Sequence, residues 1–234
     1  MPRPKPPAPT LVLLVRHGQT PTTGAVLPGR AAGLHLSEAG RGQAAKAAER
    51  IGALVEARAA SAAKSGSRGG ARSRAAISAV YASPLERTRE TAAPIAKACG
   101  LRVKIDKGLL ECDFGSWTGK ELKVLSKLPE WTTVQRNPSG FRFPGGESFP
   151  EMQLRITTAL ARLCARHPGE TIVAVSHADP IKAAAAAALG THLDLFQRIV
   201  VSPCSITAIV YSASGPVVLA VNSTGDDLTR LVPS

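Results

Sequence analysis

Aromatic side chains are scarce in this chain, with two Trp, two Tyr and five Phe making up 4% of 234 residues. A surface that stacks successive nucleic-acid bases would be thinly supplied. Cysteine is also sparse. Cys99, Cys112, Cys164 and Cys204 show no CxxC and no paired spacing. Free thiols in a reducing compartment are the simplest reading, which makes a cytoplasmic location the expectation. No apolar run approaches the roughly 20 residues that span a bilayer. The opening stretch MPRPKPPAPT is rich in proline and carries no apolar segment of the signal-peptide kind, so no membrane partner is expected. The glycine-rich phosphate loop GxxxxGK[ST] is missing, as is HExxH or any other clear metal spacing.

Acid is under-represented as well. Asp and Glu total 17 against 29 Lys and Arg, a formal charge of +12. The excess is concentrated. Arg3 and Lys5 lie in residues 1–10, and Arg58, Lys64, Arg68, Arg72 and Arg74 lie in residues 58–75, with no acid in either stretch. Both stretches are poor in bulky apolar residues. The first is expected to be a disordered tail and the second a flexible basic loop inserted in a single domain over 11–234. A basic arm for nucleic acid is the alternative for such charge, but composition alone supports it. Nucleic acid is therefore not the expected partner.

The remaining pattern alternates between strand-like and helix-like segments. Leu11–Val15 is a continuous apolar run that ends in Arg16-His17-Gly18. Ser37 is placed to cap a helix running to about Ala57. Strands are predicted at 77–81, 101–105, 171–175, 205–211 and 216–221. Further helices are predicted from Pro84 to Cys99, over 118–127, from Glu147 to His167 and from Pro180 to Leu189, with an irregular stretch from Pro129 to Gly146. Fully apolar strands alternating with helices indicate an α/β fold: a three-layer sandwich with a mostly parallel central sheet and helices on both faces.

Such a fold binds ligands beyond the carboxyl ends of its strands. Two apolar strands run straight into His17 and His177, and adjacent parallel strands would bring these residues together. Arg87 follows the strand at 77–81, and Glu111 follows the strand at 101–105. An imidazole, guanidinium groups and a carboxyl group at one sheet edge suit phosphoryl transfer. Imidazole can attack phosphorus, guanidinium binds a phosphoryl dianion in fork geometry, and a carboxyl can protonate a leaving oxygen.

The motifs carry a more specific resemblance. Leu14-Val15-Arg16-His17-Gly18-Gln19-Thr20 resembles the RHG signature of the histidine phosphatase superfamily, which includes the cofactor-dependent phosphoglycerate mutases. Four further blocks follow in the family's order. Ser83 to Ala92 resembles its SxxxRxxxTA block, and Leu110 to Gly119 its ExxxGxWxG block. Pro144 to Ser148 resembles its GGES helix start, and Val175-Ser176-His177 its second-histidine block. The segments Glu111–Gly119, Phe143–Ser148 and Phe196–Val201 are most similar to a bacterial subgroup labelled phosphomutase, a label that does not itself establish an activity.

The resemblance implies the phosphoglycerate mutase-like fold and a role for each matched residue. His17 would be the nucleophile, and Glu111 the general acid and then base. Arg16, Arg87 and His177 would surround the phosphoryl group. Gly18, Thr20 and Thr23 would line the pocket that binds substrate. It implies no metal and no dissociable cofactor for hydrolysis, although a mutase could require 2,3-bisphosphoglycerate as a priming donor. The partner would be a small phosphorylated metabolite, with monomer and homodimer both open.

Gln19, Thr23 and Ala178-Asp179 depart from the family pattern, which leaves the substrate unassigned. Lys120 to Gly146 is shorter than the segment that closes over phosphoglycerate in glycolytic mutases. Transfer to water, and so a phosphatase, is therefore preferred over a mutase; a weakly catalytic phosphate-binding or nucleic-acid-binding regulator is the reading from another class. His35, His167 and His192 are expected to be non-catalytic, with His167 closing a helix. Phe114 and Trp117 suit equally a lid or core packing.

Overall fold

In the computed structural model, residues 6–64 and 77–225 are described. Six strands form one sheet in the order β3-β2-β4-β1-β5-β6. They are β1 (Thr10–Arg16), β2 (Ile77–Ala82), β3 (Val103–Ile105), β4 (Thr171–Ser176), β5 (Ile206–Ser212) and β6 (Gly215–Ser223). The first four are mutually parallel, while β5 and β6 add an antiparallel edge.

Strand β1 is buried on both faces, and its side chains divide by the period of two. Leu11, Leu13 and Val15 enter one core with Ala44, Ile51 and Leu54 of α1 (Glu38–Lys64) and Ala92 and Ile95 of α2 (Glu86–Ala98). Val12 and Leu14 enter the opposite core with Met152, Ile156 and Leu160 of α5 (Phe149–Arg166) and Ile181 and Ala184 of α6 (Ala178–Leu189). These two cores make the three layers.

Scarce as they are, all five Phe and both Trp gather in one place. Phe114, Trp117, Trp131, Phe141, Phe143, Phe149 and Phe196 form a continuous chain of ring contacts. Phe114 and Trp117 are buried, so they are core rather than lid. This cluster gives the segment after β3 its body. Within that segment α3 is only Leu122–Leu125, shorter than the expected 118–127 helix. The stretch expected to be irregular contains α4, Pro129–Arg136. Pro129 opens α4, where its missing N–H costs nothing; Trp131 and Val134 turn inward to the same core.

Two further differences fall on the basic stretches. Helix α1 continues to Lys64, seven residues into the stretch expected to be a basic loop, because its Ala-rich composition sustains a helix. The rest of that loop, to Ala75, lies outside the described residues. At the other end, the expected tail 1–10 is already tied down where it is described. The Ala8 carbonyl accepts from the Gly169 N–H at 3.0 Å, and Thr10 belongs to β1.

Candidate active site

The parallel pairing of β1 with β4 sets Arg16 beside Ser176, and the His17 N–H donates to the Ser176 carbonyl at 2.9 Å. The two histidines that follow these strands therefore meet. Their ring centroids are 5.2 Å apart in an edge-on arrangement. Arg87 reaches the same place from the first turn of α2, and Glu111 from the loop after β3. The five residues that sequence places at the site are thus brought together at the carboxyl edge of the sheet.

His17 is buried, and its Nδ1 lies 2.7 Å from the Gly18 carbonyl. A carbonyl only accepts, so Nδ1 carries the proton and Nε2 keeps its lone pair. Burial pushes the imidazole pKa down to about 3, and the neighbouring Arg87 and Arg16 charges assist. The ring is neutral at any physiological pH. Gly18 itself is fully engaged: its carbonyl holds His17, and its N–H donates to Thr91 Oγ1 at 3.0 Å. This turn packs directly on the start of α1. A Cβ at Gly18 would fall 2.5 Å from the Gly40 carbonyl oxygen, and one at Gly40 would fall 2.0 Å from the Gln19 carbonyl oxygen.

Arg87 has no exposed surface. One nitrogen, Nη2, donates to the Gly29 carbonyl at 2.7 Å, while Nε and Nη1 have no partner. Arg16 donates from Nη1 to the Val201 carbonyl at 2.7 Å, and its Nε is likewise buried and unpartnered. His177, also fully buried, lies with Nε2 at 2.9 Å from Ser83 Oγ; its Nδ1 has no hydrogen-bond partner and stands 3.9 Å from Glu111 Oε2. Burial, with Arg87 and His17 beside it, holds its pKa well below the usual histidine value. Four buried polar atoms from three residues thus face a site with no protein group to satisfy them. Unpaired buried donors are costly, and a phosphoryl dianion is the kind of ligand that pairs them.

The Glu111 carboxyl is buried and accepts from the Cys112 N–H at 3.0 Å. Burial, with Asp179 adding negative charge nearby, pushes its pKa up to about 7 against the pull of Arg87 and Arg16. It can hold a proton near neutral pH, as a general acid must. Asp179 sits in the first turn of α6, one position beyond Ala178, and pairs with Lys182 at 3.4 Å.

Thr20 and Thr23 are spent on each other. The Thr20 N–H donates to Thr23 Oγ1 at 2.8 Å, and the two hydroxyls lie 2.9 Å apart. They shape the turn after His17, so their hydroxyls serve one another first. Sequence reasoning assigned no task to Ser83, which orients His177, nor to Arg30, Glu147 and Arg155, which hold the Glu111 loop. Ser83 opens a quoted motif, but only the fold reveals its partner. The other histidines stand apart: His35 contacts Glu90, His167 contacts Tyr81 and Glu170, and His192 contacts Asp194. Among the described residues no group of three or more His, Cys, Asp or Glu is arranged to hold a metal ion. No described helix is long and apolar enough to cross a membrane.

Comparison with known proteins agrees with this geometry. The chain is 32% identical over 225 residues to a bifunctional protein of Mycobacterium tuberculosis, covering 93% of this chain and 55% of that one. It thus spans about half the length of that relative. It is 34% identical over 154 residues to phosphoserine phosphatase 1 of Hydrogenobacter thermophilus, covering 65% of this chain and 73% of the relative. Among solved structures, Entamoeba histolytica phosphoserine phosphatase in complex with 3-phosphoglyceric acid superposes with a TM-score of 0.75 at 25% identity, covering 94% of this chain and 100% of the other. The family model of the histidine phosphatase superfamily (branch 1) matches residues 12–65 and 56–224. The chain therefore belongs to the histidine phosphatase superfamily.

Proposed function

We propose that the protein hydrolyses a small phosphomonoester through a phosphohistidine at His17. The observation that carries this reading is the convergence of unpartnered buried donors from Arg16, Arg87 and His177 around a neutral imidazole with a free Nε2. In the first half-reaction Nε2 attacks phosphorus and the ester P–O bond breaks. The leaving oxygen takes the Glu111 proton. The two guanidiniums neutralise the equatorial oxygens, where charge is greatest in the transition state. His177 serves best with its proton on Nδ1, facing the phosphoryl group, and a Ser83 hydroxyl that donates to Nε2 holds that tautomer. In the second half-reaction water attacks the phosphohistidine, Glu111 takes a proton from it, and the P–N bond breaks.

This sequence assigns no step to a metal or dissociable cofactor. A mutase would share the first half-reaction but pass the phosphoryl group to a retained acceptor, with 2,3-bisphosphoglycerate as the priming donor. The phosphatase relatives and the compact aromatic packing of the 114–143 segment support the simpler transfer to water. Phosphorylated small carboxylates such as phosphoserine and phosphoglycerate head the list of substrates to try.

The test is phosphate release from a panel of phosphomonoesters in EDTA, with 3-phosphoglycerate isomerisation followed in parallel. Release by the wild type that disappears in His17→Ala is the expected result. Isomerisation without net release would overturn hydrolysis in favour of the mutase.

A further inference from the structure

The loop that carries Glu111 has only one short 3-10 turn, Lys107–Leu109, before the acid, yet its carbonyls are held in succession. The carbonyls of Gly108, Leu110 and Glu111 accept from Arg155 at 3.0, 2.8 and 3.1 Å. The carbonyl between them, Leu109, accepts from Ser176 Oγ at 2.8 Å. Four consecutive carbonyls are thus taken by side chains rather than by a helix or a strand.

Arg155 comes from α5 and is itself locked. Its Nε and Nη2 donate to the two oxygens of Glu147 at 2.8 and 2.9 Å. With the three carbonyls, all five of its N–H groups are engaged. Glu147 Oε2 also accepts from the Asp113 N–H at 3.1 Å and pairs with Arg30 at 2.9 Å. Arg30 Nε donates to the Glu111 carbonyl at 2.9 Å, and the preceding residue, Gly29, is the one that holds Arg87.

We propose that Arg155, locked by Glu147, is a positioning residue that fixes where the Glu111 carboxyl meets the leaving oxygen. The proposal rests on Glu111 being the general acid. It makes α5 a strut that ties the acid to the same scaffold as the phosphoryl-binding arginine. A lysine at 155 keeps the charge but cannot donate to a carboxylate and three carbonyls at once.

The experiment is the dependence of kcat/KM on leaving-group pKa, measured from dinitrophenyl to alkyl phosphates. Wild type is compared with Arg155→Lys, Glu147→Gln and Glu111→Gln, and with Thr157→Val as a control. Thr157 lies on the same helix and its hydroxyl donates only to the Gln153 and Leu154 carbonyls of that helix, away from residues 108–111. Arg155→Lys and Glu147→Gln are expected to lose about 100-fold on alkyl phosphates, the cost of a small misplacement. They should change little on dinitrophenyl phosphate, whose leaving group needs no proton. The control should keep the wild-type slope, and adding Arg155→Lys to Glu111→Gln should steepen the slope no further.

An equal loss on every substrate, or an unchanged slope in both folded variants, would overturn the positioning role. Should Arg155→Lys fail to fold, the milder Glu147→Gln decides alone. A flat response in Glu111→Gln itself would remove the general-acid reading and this proposal with it.

Discussion

Burial acts on His17 and Glu111 in opposite senses of charge but toward one chemical end. In the proposed reaction it strips the proton from the imidazole that attacks and favours one on the carboxyl that donates. With His17 neutral from about pH 3 upward and Glu111 titrating near 7, activity on alkyl phosphates is expected to hold on the acidic side and fall as pH rises past neutrality. Glu111→Gln should lower the rate and erase that alkaline limb, which a pH–rate profile reads directly. Arg87→Ala removes a buried guanidinium with two uncommitted nitrogens and should cost about 10³-fold in kcat/KM. Ser83→Ala leaves every proposed phosphoryl contact in place but frees the His177 tautomer. Its loss should be smaller, and should appear in kcat more than in substrate binding.

Among the elements, α1 matters through its first turn. Ser37 caps it, accepting from the Gly40 N–H at 3.1 Å, while the Ser37 N–H donates to the Gln19 carbonyl at 2.9 Å. The helix start is thus moored to the turn that carries His17. Gly40→Ala would drive a methyl into that turn, so a stability loss of about 1–3 kcal/mol in urea titration is expected, with an activity loss from the displaced imidazole. The cap, the strands and the paired histidines were legible in the sequence, because capping, apolar runs and strand-end placement are local rules that the fold obeys. The Arg155 strut was not. Its partners lie 8 to 47 residues away in sequence, and no periodicity marks an arginine that bonds backbone carbonyls. Helix α4 was missed because its Pro- and Gly-rich neighbourhood reads as loop, while its true support is tertiary, from the aromatic cluster. Thr20 and Thr23 show the converse: a motif position identified their neighbourhood, but their hydroxyls pair locally.

Across the whole molecule, the site makes stability depend on pH from both sides. His17 is protonated near 6.5 when unfolded and near 3 when folded, so its contribution is present above 6.5 and is lost as pH falls toward 3. His177 shares that direction. Glu111 runs the other way: raised from 4.5 to about 7 by folding, it favours the folded state below 4.5 and loses that contribution as pH rises through 7. Glu111→Gln should therefore raise Tm at pH 8 while leaving it nearly unchanged at pH 4.5, as a calorimetric scan at the two values would show. A tetrahedral or trigonal oxyanion such as phosphate or vanadate should raise Tm in wild type and much less in Arg87→Ala. Both indoles of the chain, Trp117 and Trp131, sit stacked within the aromatic cluster beneath the Glu111 loop, and neither α1 nor the β5–β6 edge carries one. Tryptophan emission, excited beyond the absorption of Tyr81 and Tyr211 in the sheet, is thus a private optical channel for that region, so loosening of the acid-bearing loop would register as a shift in emission while the circular dichroism of the sheet stayed unchanged.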